Sequence, residues 1–127
     1  ESGNRNTTAL VAWLAGMKAL KDEHIQRFDL SDARQRMMQI IQSCNIGTCI
    51  GDADEGDFAP VVSVRGTMAH IGLAPSDLAA ILDTNFGVEA RAGLHCAALI
   101  HSALATQEEG GTLRFSMGHT SSERDLE

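Results

Sequence analysis

Apolar residues fall at helical spacing between residues 7 and 21, where Leu10, Trp13, Leu14, Met17 and Leu20 mark one face. Asn6 or Thr7 is placed to cap the first turn, so the pattern predicts an amphipathic helix. A second helical pattern runs from about Glu23 to Cys44 through Ile25, Phe28, Met37, Ile40 and Ile41, with a break foreseen near Asp29 to Asp32. Asn45 and Gly47 are placed to end it.

The period then shortens to two. A short strand is predicted around Gly47 to Ile50, followed by the acidic loop GDADEGD and a strand over Val61 to Arg65, with Val62 and Val64 on one face. Pro75 suits the first turn of a helix carrying Leu78, Ile81 and Leu82, with Gly87 just past its end. A strand through Val88 to Ala92 would place Val88, Ala90 and Ala92 on one side and Glu89 and Arg91 on the other. Gly93 then leads to the helix-like run CAALIHSALA, and Gly110 and Gly111 mark a turn. The last strand, TLRFSM, should bury Leu113, Phe115 and Met117 while Thr112, Arg114 and Ser116 point the other way. A closing helix is expected to begin at Ser121 or Ser122. The order implies an α+β fold: a small, mostly antiparallel sheet with helices packed on one face.

At 127 residues, 43% hydrophobic and with 2 prolines, the chain has the size and apolar content of one folded domain. Ten basic against 17 acidic residues give a net charge of −7 with no basic stripe, which argues against nucleic acid as a partner. No apolar run approaches the roughly 20 residues that span a bilayer. Three cysteines, an odd number, do not form a disulfide framework and fit a reducing cytoplasm.

Several residues invite chemistry. Asp52, Asp54, Glu55 and Asp57 suggest a calcium loop, but position six from Asp52 is Asp57 and position twelve is Ser63, where an EF-hand needs glycine and glutamate. Cys44 and Cys49 are spaced too widely for a zinc knuckle and read as packing residues, while His70, His95, Cys96 and His101 repeat no ligand spacing, so no metal site is expected. His24 and His119 read as surface histidines. Cys96 differs: it follows a glycine-containing strand end and precedes a helix start, where free amides, Arg91 and His95 would favour a thiolate. By composition alone, a cysteine in such an apolar run is usually a buried packing residue.

The segment RAGLHCAALIH, with LAAILDTNFGVEA before it and GTLRFSMG after it, resembles the C-terminal domain of class V aminotransferase-fold enzymes, in particular the cysteine desulfurases and selenocysteine lyases. In that family a strand of the form R-x-G-x-H-C carries a nucleophilic cysteine, and a GTxRxS strand carries an arginine that grips the substrate carboxylate. Cys96 and Arg114 stand at those places, and ESGNRN resembles the family's E-A-G-T-P-N loop. The sequence departs from the pattern at Asn4 and Arg5 for Thr-Pro, at Ala98 for a common proline, and at His119 to Ser121.

The resemblance implies the small domain of a pyridoxal 5'-phosphate enzyme of fold-type I, covering residues 1–127 and cut at both ends, whose larger cofactor domain precedes Glu1. It implies removal of sulfur or selenium from L-cysteine or L-selenocysteine to give alanine through a persulfide on Cys96, with onward transfer to an acceptor protein or thiol. Arg114, assisted by Arg91, would bind substrate. His95 is a candidate for proton transfer or loop support. Gly3 and Asn4 would approach the cofactor phosphate of the partner subunit, implying a homodimer. Lys18 and Lys21 are the only lysines and neither follows histidine as the family's Schiff-base lysine does, so this chain alone is expected to be cofactor-free and inactive. Two other readings stand beside this one: an aminotransferase or other lyase of the same fold with Cys96 incidental, and a non-catalytic α+β interaction module.

Overall fold

The computed structural model describes residues 6–21, 30–51, 59–118 and 120–126. In chain order the elements are α1 (Thr7–Lys21), α2 (Leu30–Cys44), β1 (Thr48–Ile50), β2 (Val61–Arg65), α3 (Thr67–Ile71), α4 (Pro75–Phe86), β3 (Arg91–Gly93), α5 (Ala98–Ala103), β4 (Thr112–Ser116) and a closing 3-10 turn (Glu123–Leu126). The strands form one sheet in the order β1-β2-β4-β3, antiparallel throughout.

Strand alternation sorts the residues onto two faces. Cys49, Val64, Leu113 and Ala92 lie in register across all four strands, and Val62 pairs with Phe115 on the same face. Against this face α2 packs Met37, Met38 and Ile41, and α4 packs Leu78. In α2 the buried apolar positions Ala33, Met37, Met38 and Ile41 follow the helical repeat. Val62, Val64 and Leu113 are wholly buried, each removing enough apolar surface from water to be worth ~1.5–3 kcal/mol. The expected sheet with helices on one face is therefore the observed one.

The ends of α4 follow the sequence signals. Pro75 occupies the first turn, and Gly87 ends the helix at φ 66°. The Gly87 N–H donates to the Asp83 carbonyl and the Val88 N–H to the Leu82 carbonyl, both at 3.1 Å, so the last turn is closed. At the other end of the chain, Arg36 of α2 pairs with Glu123 of the closing turn, while Asp125 Oδ2 accepts the Ser122 N–H at 2.6 Å.

Helix α1 forms where expected, with Asn6 Oδ1 accepting the Ala9 N–H at 2.9 Å. None of its residues is buried, however, and Leu10, Trp13, Leu14 and Leu20 are each at least half exposed. Its apolar stripe is left largely exposed.

Other expectations need correction. The third strand spans Arg91–Gly93 rather than Val88–Ala92, because residues 87–90 are used in leaving the left-handed end of α4; Val88 is exposed, although Ala90 and Ala92 still meet the core. Helix α3 lies between Gly66 and Gly72, both left-handed, and at five residues is too short to show a repeat in sequence. The run CAALIHSALA is helical only over Ala98–Ala103. Cys44 is exposed, because α2 ends there and Asn45 turns the chain at φ 52°; Cys49 does pack against the core. Thr112, on the opposite side of β4 from Leu113, is buried as well. The pattern between Glu23 and Phe28, the acidic loop, and Gly3, Asn4, His24 and His119 lie outside the described residues.

Candidate active site

The sheet face opposite the helical core carries a different row. Ile50, Ser63, Arg114 and Arg91 lie in register across β1, β2, β4 and β3. Arg91 and Arg114 are directly opposed, which for an antiparallel pair puts their Cβ atoms about 4.5–5.5 Å apart. Two like charges there repel. Among the described residues no carboxylate forms an ion pair with either guanidinium, and Glu89 does not pair with Arg91. The pair offers two planar donor forks to an anion that can bridge them, and a carboxylate has the matching geometry.

Beside this pair β3 ends in a tight turn. Gly93 has φ 114°, and His95 and Cys96 follow at φ 51° and 60°. The Ala97 N–H donates to the Leu94 carbonyl at 2.8 Å, so two consecutive side-chain-bearing residues occupy the left-handed centre of the turn. Each such residue costs ~1–2 kcal/mol, and the surrounding contacts must hold it. The turn presents Cys96 as an exposed free thiol just before the cap of α5.

His95 is held from both sides. Its Nε2 lies 3.1 Å from the Thr112 carbonyl, which can only accept, so Nε2 carries a hydrogen. Burial lowers the His95 pKa; the Thr112 hydrogen bond opposes this, while Arg114, His101 and Arg91 add to the lowering. The ring is thus biased toward the neutral form at neutral pH, with Nδ1 as its basic atom. The same charges show that His95 shares its surroundings with both arginines.

The structure therefore gathers four expected residues, Arg91, His95, Cys96 and Arg114, along β3, β4 and the turn between β3 and α5. It sets Cys49 apart: burial raises its thiol pKa, with Arg34 opposing, as for a packing cysteine. Gly110 and Gly111 form a turn, with the Gly110 N–H donating to the Gln107 carbonyl and the Gly111 N–H to the Thr106 carbonyl. Among the described residues no three His, Cys, Asp or Glu side chains converge as a metal site requires.

Sequence reasoning missed the support beneath the turn. His101 and Thr106 are buried, with Nδ1 and Oγ1 2.7 Å apart. Gly111 approaches Gly93 so closely that a Cβ on Gly111 would collide with the Gly93 carbonyl. A histidine inside an apolar helix run was the available signal for the first; the second depends on strand register alone. On the helical side an open groove of about 870 Å³, lined by Met37, Ile41, Leu82, Phe86 and Met117 among others, includes none of the four site residues.

A small antiparallel sheet carries helices on one face and the Arg91–Arg114 pair on the other, with the Cys96 turn following β3, and makes an α+β domain. The aminotransferase class-V family model matches residues 1–127, and the chain belongs to that family. Among solved structures the chain is similar to the apo cysteine desulfurase from Thermococcus onnurineus NA1, with a TM-score of 0.80 and 25% sequence identity. That match covers 99% of this chain and 30% of the other, so the chain spans under a third of that protein's length. No curated protein matches the chain.

The family depends in general on pyridoxal 5'-phosphate. A Schiff base needs a lysine at the site, and the two lysines here are both exposed in α1; neither belongs to β3, β4 or the Cys96 turn. The described residues do not fit the cofactor's attachment; the opposed guanidinium forks match a planar anion.

Proposed function

We propose that this chain is the small C-terminal domain of a larger pyridoxal-phosphate enzyme that removes sulfur, or selenium, from cysteine or selenocysteine and leaves alanine. The observation that carries this reading is the placement of the exposed Cys96 thiol in a strained turn beside the opposed Arg91–Arg114 pair. The unpacked apolar stripe of α1 supports a further domain, because Leu10, Trp13, Leu14 and Leu20 require a covering surface. The same reading carries Gly3 and Asn4 at a cofactor phosphate across a homodimer, and a cytoplasmic setting. No helix among the described residues is long and apolar enough to cross a membrane.

Within the site, Arg114 binds the substrate carboxylate through its guanidinium fork, and Arg91 shares that anion and relieves the repulsion between the two cations. His95, neutral and fixed by the Thr112 carbonyl, holds a lone pair on Nδ1 that can take a proton. Cys96 as thiolate forms the new S–S bond while the substrate carbon–sulfur bond breaks; the carbon keeps that electron pair and takes a proton to become alanine. Cys96 then carries the persulfide, which passes to an acceptor protein or thiol. The electron sink for that carbon would come from the cofactor, held by the proposed further domain.

The test uses the longer natural protein with bound cofactor. Cysteine should add one sulfur atom to Cys96, read by mass spectrometry of the peptide carrying it, with alanine formed in step. Cys96→Ser should abolish the adduct and Arg114→Lys should raise KM at least about tenfold by removing the planar fork. Full sulfide release by Cys96→Ser would favour an aminotransferase or another lyase of the family in which Cys96 is incidental. Chain Glu1–Glu127 alone should show neither cofactor absorbance nor turnover.

A further inference from the structure

His101 is a buried titratable group that the reaction above does not use, 3% exposed in the middle of α5. Its Nδ1 lies 2.7 Å from Thr106 Oγ1, and the Thr106 hydroxyl lies 3.5 Å from the His101 carbonyl. Both contacts are met together when Nδ1–H donates to the hydroxyl oxygen and the hydroxyl hydrogen turns toward the carbonyl. Thr106 is itself 1% exposed, so little water competes for either group.

These bonds belong to a closed circuit. The Thr106 N–H donates back to the His101 carbonyl at 3.0 Å, and the Gly111 N–H donates to the Thr106 carbonyl at 2.8 Å. Gly111 abuts Gly93 at the head of the Cys96 turn, and the next residue, Thr112, accepts the His95 Nε2 hydrogen. The circuit closes where the His95 ring lies 6.0 Å from the His101 ring, tilted by 44°. The two left-handed residues at the centre of the turn need such external support, since neither is glycine.

We infer that His101, latched by Thr106, is a positioning residue that holds the His95 ring and the Cys96 turn in place. It touches no substrate, and its role rests on the reading of Cys96 as the sulfur acceptor. The charged and titratable groups around His95 are Arg91 from β3, Arg114 from β4 and His101 from α5, with the Thr112 carbonyl as hydrogen-bond acceptor. Removing the His101 imidazole lets water toward His95, and the loss of burial raises the His95 midpoint.

The test is NMR of the whole chain, residues 1–127. In the unmodified chain the His101 nitrogen shifts should show one fixed tautomer with hydrogen on Nδ1; rapid exchange between two tautomers would overturn the inference. His101→Gln and Thr106→Val should each move the His95 titration midpoint, the former upward by roughly half a pH unit, and Thr106→Ser should restore the parent value. A His95 midpoint unchanged in both variants, with the sheet amide spectrum retained, would also overturn it. If either substitution unfolds the chain, the tautomer measurement and the Thr106→Ser comparison still decide. A protein in which Cys96 never takes sulfur leaves these titrations unaltered, so the two readings fail separately.

Discussion

Arg91 stands directly across the β3–β4 ladder from Arg114, and neither forms an ion pair with a described carboxylate. A like-charged cross-strand pair costs a fold stability. Arg91→Gln should therefore stabilise the chain by about 0.2–1 kcal/mol at low ionic strength. The gain should shrink as salt rises and screens the repulsion. Urea denaturation at two salt concentrations measures it, and a loss of stability at low salt would mean that Arg91 is paired after all.

The lowered pKa of His95 makes the fold sensitive to acid. A histidine whose folded pKa lies below its unfolded value of 6.5 binds fewer protons in the fold than in the unfolded chain. Its contribution is fully present above pH 6.5 and is lost as pH falls toward the folded pKa. Denaturant midpoints recorded from pH 7.5 down to pH 5 should decline, and His95→Gln should flatten that decline. Equal slopes in the two proteins would remove His95 as the cause.

Gly111 and Gly110 offer a matched pair. Both have positive φ, 97° and 79°, but only at Gly111 would a Cβ strike backbone, the Gly93 carbonyl; at Gly110 it would meet open space. Gly110→Ala should cost about 1 kcal/mol, the ordinary price of a left-handed alanine. Gly111→Ala should cost at least ~2 kcal/mol and shift the amide signals of Leu94 to Ala97, since the Gly93 end of the turn must move. Ala105, at φ 53°, is the converse, and Ala105→Gly should stabilise by up to about 1 kcal/mol. Chemical denaturation ranks all three.

Helix α1 tests the proposed second domain. Trp13→Glu with Leu14→Gln should change the stability of the 127-residue chain by no more than about 0.5 kcal/mol, because both side chains are exposed there. In a protein that also carries the proposed cofactor domain, the same pair should lower the thermal midpoint by several degrees, read by calorimetry. An unchanged midpoint would place nothing on that face.

The legible parts were those set by local periodicity and by punctuation. Helix α4 was readable because Pro75 and Gly87 bracket it, and β2 because Val62 and Val64 alternate with polar neighbours. Helix α3 was not, since five residues between two glycines carry no repeat, and β3 was overextended because Val88 to Ala92 alternates as a strand although only its end has a partner. Motif spacing pointed to Cys96, Arg91 and Arg114. The buried His101–Thr106 latch escaped, because a histidine in an apolar run reads the same whether its ring faces water or a threonine hydroxyl.

By itself the sequence determined where α1, α2, α4, β2 and β4 form and which of their positions are apolar, because those properties depend on neighbours a few residues away. It also carried the motif residues of the family. The tertiary structure alone decided that Arg91 opposes Arg114, that Gly111 presses on Gly93, and that His101 stands under His95. Those relations depend on strand register and on the closure of loops between distant residues; the hydrophobic period fixes the face each residue takes but not which residue of another strand it meets.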